Sequence, residues 1–223
     1  MQVAASDSKF PAWRAWLVVA SVSLISFSLI GTTIASLGVY MPVFQTHFGW
    51  SEGDVGAVAA VLLLGVSLAS ISAGWALNKI GPRNLIMAGV IIVASGCLLA
   101  SRAQSLAQMI VAIGFVGAGI GTATIVPGTT VINLWFRENR GIPMAVYIGS
   151  LVLSSAIIPR LTDSLIGSGG WRFTLTATSI LVAAIGLCLA IFVRVPPPAI
   201  SREAKSLTGE LEVSGLSVKQ ALT

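Results

Sequence analysis

The chain has 223 residues, 55% of them hydrophobic and only 9% charged, with a mean hydropathy of +0.92. Soluble domains carry roughly 25% charged residues, so this composition excludes a water-facing globular domain and points to a membrane protein. The formal net charge of +5 is not gathered into a basic patch on a polar face, which excludes nucleic acid as a partner.

Charged residues divide the chain into six apolar stretches. No Asp, Glu, Lys or Arg occurs from Ala15 to Ser51, Val55 to Asn78, Asn84 to Ser101, Ala103 to Phe136, Gly141 to Pro159, or Phe173 to Val193. A helix needs about 20 apolar residues to cross a bilayer, and single apolar runs of that length in hydrocarbon are helical because the backbone must satisfy itself. The predicted fold is therefore all-α, with a six-helix transmembrane domain over 16–194 and helices at about 16–40, 55–77, 85–101, 106–134, 142–166 and 173–193. Residues 1–15 form an N-terminal tail and 195–223 a polar linker or tail, set off by the three prolines of "VPPPAIS". Lys9 and Arg14 resemble the start of a secretory signal, but the first apolar stretch is too long for one and five more follow, so it is read as a retained span.

Lys and Arg set the orientation. With a cytoplasmic N-terminus, all but Arg102, Arg160 and Arg172 of the 13 basic residues fall inside, so both termini are predicted to be cytoplasmic in a multi-pass membrane protein. Trp13, Trp16, Trp75 and Trp135 fall near inner helix ends, and Trp50 and Trp171 near outer ends, as an amphipathic ring favours. Cys97 and Cys188 lie in apolar runs as small hydrophobes, and His47 has no second ligand beside it, so no metal or cofactor is implied.

Between the second and third stretches the chain breaks for one basic turn, "GWALNKIGPRN", Gly74 to Asn84. Gly74 permits close helix approach, Gly81 a tight backbone, Pro82 a change of direction, and Lys79 and Arg83 hold the turn inside. This segment resembles the signature loop between helices two and three of major facilitator superfamily transporters, with Gly74, Lys79, Gly81 and Arg83 matching. The "GPR" form is similar to the branch that contains monocarboxylate and oxalate/formate carriers. So are "FGWSEGDVG", "NLWFRENRGIPMAVYIGS" and "GGWRFTLTATS", each at the corresponding helix.

The resemblance implies a gating role for this loop and a fold of two six-helix halves around a central path, each half made of two inverted three-helix repeats. This chain resembles the N-terminal half, and "GLSVKQALT" resembles the approach to a seventh helix. Two positions depart from the family pattern: Asn78 stands where an acid is usual, and Ile113, four before Gly117, stands where an arginine is frequent.

In the fourth stretch, "GFVGAGIGTATIVPGTT" lies inside a span and so is not a dinucleotide loop. Gly117 and Gly121 form GxxxG, a helix-packing pattern, and Pro127 is expected to kink the helix. The first stretch carries Ser21, Ser28, Thr32 and Ser36 on one helical face. In the family's architecture helices one and four line the cavity, so these hydroxyls with Tyr40, Thr124 and Asn133 are candidate substrate contacts; the alternative is that they bond backbone carbonyls or neighbouring helices. Arg160, in "IIPRLTDSL", is either an anchor paired with Asp163 or a contact for an anion, since a guanidinium offers a carboxylate two parallel donors.

The function these features imply is secondary active transport of a small solute by alternating access, with an organic anion such as a carboxylate, and a coupled proton, as the expected cargo. The partners implied are the bilayer and either a missing C-terminal half or further copies of the chain. The alternatives are a truncated, inactive half-transporter and a six-helix oligomeric channel or scaffold. An intramembrane enzyme is not expected, because the predicted helices hold no histidine and no acid pair.

Overall fold

A computed structural model describes residues 12–136 and 140–193. The N-terminal tail to residue 11, Arg137 and the 195–223 linker lie outside the described residues. All regular structure in the described residues is helical: α1 (Ala12–Ile30), a π-helical segment (Gly31–Ala35), α2 (Leu37–Phe48), α3 (Glu52–Arg102), α4 (Leu106–Ala123), α5 (Ile125–Trp135) and α6 (Gly141–Ala190). Four stretches, Trp13–Phe48, Glu52–Arg102, Leu106–Trp135 and Gly141–Ala190, are long and apolar enough to cross a membrane.

The 51 residues of α3 would make a straight helix of ~75 Å, over twice the thickness of a hydrocarbon core. The helix is not straight. Gly81 has φ 78° and ψ 160°, a conformation essentially confined to glycine, and it precedes Pro82, which cannot donate to the preceding turn. The direction of each arm follows from its contacts with α4. On the first arm Gly65 meets Gly114 and Ala118, and further along Ala69 and Ser70 meet Gly121, so this arm and α4 run the same way. On the second arm Gly89 meets Gly119 and Ala123 while Gly96 meets Ala112 and Val116, the reverse order. The arms are antiparallel, and the chain doubles back at Gly81.

The same device recurs in α6 at Gly170, with φ 79° and ψ 164°. Along the first arm Ser26 meets Tyr147, Gly31 meets Ile158 and Ser36 meets Thr162, so the arm runs with α1. Past Gly170 the order reverses, Trp171 packing on Phe44 and Thr178 lying beside Tyr40. Gly170 stands as far from the start of α6 as Gly81 does from the start of α3.

Local chemistry sets the remaining boundaries. Ser51 caps α3 in a reciprocal box with Asp54: the Asp54 backbone N–H donates to Ser51 Oγ at 3.2 Å and the Ser51 backbone N–H to Asp54 Oδ2 at 3.0 Å. Hydrogen bonds from the Ser51 hydroxyl and backbone hold the Asp54 carboxyl below its ordinary range. Gly49, with φ 68°, ends α2. Helix α4 stops at Thr124 (φ −101°, ψ −97°), three residues before Pro127, whose missing N–H and bulky ring disrupt the preceding turn. The kink expected from Pro127 is therefore a break between α4 and α5.

Candidate functional site

The basic turn divides into an open side and a packed side. Lys79 Nζ sits 3.7 Å from the centroid of the Trp75 ring, a cation–π contact within one helical turn. Asn84 Nδ2 donates to Ile80 O at 3.0 Å across the Gly81 reversal. Asn78 is exposed. Arg83 is half-buried, and its buried Nε has no hydrogen-bond partner among the described residues. The close approach expected at Gly74 is not made among the described residues, where nothing lies within 4 Å of an added Cβ.

Gly117 and Gly121 lie where α4 meets the first arm of α3. A Cβ on Gly117 would stand 3.2 Å from the Val66 backbone N, and one on Gly121 would stand 3.0 Å from Ala69 Cβ and Ser70 N. Gly65, on the facing arm, belongs to no GxxxG pair in the sequence, yet its Cβ would stand 2.9 Å from Gly114 O. Small residues on both sides let the two backbones touch.

A polar seam runs between α1 and the first arm of α6. Ser26 Oγ and Tyr147 Oη are 3.1 Å apart, Ser36 Oγ and Thr162 Oγ1 2.9 Å apart, and Ser150 Oγ donates to Ser23 O at 3.4 Å. Ser36 also donates to Gly31 O at 2.7 Å, and the Thr32 and Thr33 hydroxyls donate to Ser28 O and Leu29 O. These bonds surround the π-helical segment, an irregularity that often accompanies function. Ser21 and Ser28 donate to Leu17 O and Ile25 O, so the hydroxyl face of α1 is spent on carbonyls and on α6.

Tyr147 and Thr162 are the seam members that sequence reasoning missed. Tyr147 is 1% exposed and packs against Gly128, where a Cβ would lie 2.7 Å from its Cζ. Substituting Tyr147→Phe keeps the ring and removes the bond to Ser26. The expected cost is about 1 kcal/mol, read as a lower melting temperature of the purified protein with its fold unchanged.

The other candidate contacts scatter. Tyr40 is buried and stacked on Phe44 at 5.8 Å, with Thr178 beside its phenol oxygen. Thr124 is buried, with Oγ1 donating to Ile120 O at 2.8 Å, and Asn133 is half-buried. Arg160 and Asp163 are exposed and form no ion pair with each other. Arg160 is two residues from both Ile158 and Thr162, the residues that meet α1, so at 100° per residue it points away from the seam. Its arm runs on to residue 169, which places Arg160 ~15 Å short of the turn.

At the Gly170 end an aromatic cluster joins α2 to α6. Phe48 stacks on Trp50 at 4.3 Å, while Phe44 and His47 each meet Trp171 at 5.4 Å. Arg172 lies over Trp171 at 4.7 Å and donates to Ala103 O at 3.2 Å, tying the second arm of α6 to the end of α3. Among the described residues no group of His, Cys, Asp or Glu has the arrangement of a metal site.

Known proteins share this sequence over most of its length. It is 28% identical over 179 residues to monocarboxylate transporter 13 of Rattus norvegicus, covering 79% of this chain and 41% of that protein. It is 26% identical over 197 residues to MFS-type transporter 1 of Ophiocordyceps sp. (strain BCC 1869), covering 85% and 43%. It is 27% identical over 159 residues to the probable L-galactonate transporter of Escherichia coli K12, covering 70% and 34%. The chain thus spans less than half the length of these relatives. All three are named as transporters and none as an enzyme. The sequence pattern of the family matches residues 22–220, and this multi-pass helical membrane protein belongs to the Major Facilitator Superfamily of transporters.

Proposed function

We propose that the chain forms one half of a secondary transporter that moves a small organic anion, a carboxylate, by alternating access. In this reading α3 and α6 each cross the membrane twice, giving six crossings in two three-helix repeats of opposite orientation. The matched positions of Gly81 and Gly170 support the repeats. Both termini and the Gly81 turn lie in the cytoplasm, where Lys79 and Arg83 favour that side. The second half of the path comes from a C-terminal half or from another copy of the chain.

One observation carries the assignment: the face of α6 that bears Arg160. At helical spacing this face holds Ile142, Val146, Gly149, Leu153, Ala156, Ile157, Asp163, Ser164 and Gly167 beside the arginine, all exposed. Among the described residues nothing lies within 4 Å of an added Cβ on Gly149 or Gly167. Small residues and charges are disfavoured against lipid and suit a helix partner or a water-filled path. The face therefore lines the solute route, with the Arg160 guanidinium receiving the carboxylate. Two relatives named for monocarboxylate and L-galactonate are consistent with that cargo. The seam offers hydroxyls and no acid, so Asp163, beside Arg160, is the proposed proton-linked group on this half.

The test is uptake of labelled lactate into liposomes carrying the protein as isolated from its native membrane, with unlabelled lactate inside. A carrier shows counterflow. Arg160→Gln is expected to cut this exchange at least about tenfold, the loss of one charge-assisted contact, with equal protein incorporated. Undiminished exchange by Arg160→Gln would assign the arginine to anchoring, and uptake that ignores internal lactate would point to a pore.

A further inference from the structure

A groove of about 490 Å³ opens where the end of α3 meets the start of α4, at the opposite end of α3's second arm from the Gly81 turn. It is lined by Leu99, Arg102, Ala103, Ala107, Gln108, Val111 and Ala112. Its polarity is graded. Arg102 and Gln108 stand near the 103–105 connection, where a membrane helix meets the headgroup layer, while Leu99 and Val111 lie a turn deeper on their helices. Leu99 and Val111 are half or more exposed, and Phe115 continues the apolar wall one turn further along α4.

Arg102 is exposed and has no hydrogen-bond or ion-pair partner among the described residues. The neighbouring Arg172 is different, since its guanidinium is already engaged by Ala103 O and Trp171. Gln108 also spends its Oε1, which accepts from the Gln104 N–H at 2.8 Å, and so leaves only its amide donors free. The mouth of the groove therefore presents donors and one whole positive charge, and its floor presents hydrocarbon.

We propose that this groove seats one anionic phospholipid of the leaflet facing the Gly170 turn. Its phosphate sits on Arg102 and the Gln108 amide, and one acyl chain runs down Leu99, Ala107 and Val111. A guanidinium matches the phosphate in charge and in its parallel donors, and the depth gradient matches headgroup above chain. The lipid would bridge the connection between α3 and α4 beside the point where Arg172 clasps Ala103.

The test is nondenaturing mass spectrometry of the full chain in detergent, titrated separately with dioleoyl phosphatidylglycerol, with dioleoylglycerol, which lacks the phosphate, and with inorganic phosphate. One phosphatidylglycerol per chain is expected, with dioleoylglycerol and phosphate each binding at least about tenfold more weakly. Arg102→Gln should weaken the phospholipid about tenfold, Arg102→Lys should retain most of it, and Ala107→Phe should fill the groove and displace it. The glutamine and lysine variants alter an exposed side chain, so they decide the matter even where the phenylalanine variant does not fold. Equal retention by Arg102→Gln overturns the proposal. So does equal binding of dioleoylglycerol, an apolar crevice only, or of inorganic phosphate, an anion site without a lipid.

Discussion

Replacing Gly117 by leucine is expected to leave little folded protein in the membrane. A Cβ at this position runs into the Leu62 carbonyl oxygen and stands 3.1 Å from its carbon. These are backbone atoms, so no side chain can swing aside. The two helices must part, and each loses the close contact that holds it. Overpacking costs typically 1–3 kcal/mol even where side chains can adjust. With backbone on both sides the loss should exceed that range, giving at least about tenfold less monodisperse protein after detergent extraction. Gly74→Leu is the matched control, because an added Cβ there meets nothing within 4 Å among the described residues. Equal yields from the two variants would mean that α4 does not lie against α3 as described.

The second large effect concerns the reversals. Gly81→Ala and Gly170→Ala should each lower stability by about 1–3 kcal/mol, the cost of holding a residue with a Cβ in a conformation that suits glycine alone. Among the described residues neither position has a neighbour within 4 Å of the new Cβ, so the cost arises in the backbone and not in packing. Gly56→Ala supplies a contrast of sign. Gly56 sits within helical α3 with open surroundings, and alanine there should raise stability by about 0.5–1 kcal/mol. Thermal unfolding of the three variants in detergent reads both signs. A Gly81→Ala protein as stable as the parent would remove the strained turn.

Much of this architecture is legible in the sequence because lipid imposes simple rules. Charges mark where apolar helices end, and the polar residues from Asn78 to Asn84 announce a reversal that a glycine and a proline make sharp. GxxxG at Gly117 and Gly121 shows a packing stripe, although its partner Gly65 is recognisable only once the two helices are paired. Gly74 shows the limit of that reasoning, since a glycine in a membrane helix need not touch anything within its own chain. The hydroxyls of α1 are visible as a face, but whether they meet solute or protein depends on what lies opposite. Ser26 and Ser36 find Tyr147 and Thr162, which stand more than a hundred positions away, and no local periodicity reports that. Tyr40 looks free in the sequence and is enclosed by Phe44 and Thr178. Tryptophans at one membrane face are expected from composition, yet the stack of Phe48 on Trp50 beside Trp171 needs the Gly170 turn to form.

Everything proposed for function depends on the chain turning at Gly81 on one face of the membrane and at Gly170 on the other. The most direct test places single cysteines at Asn84 and at Ser168 in a background with Cys97→Ala and Cys188→Ala, and labels intact cells with a membrane-impermeant maleimide. Ser168→Cys is expected to label from outside, and Asn84→Cys only after the membrane is opened. Labelling of both cysteines from the same side would contradict the six-crossing arrangement and, with it, the inverted repeats on which the proposed transport route is built.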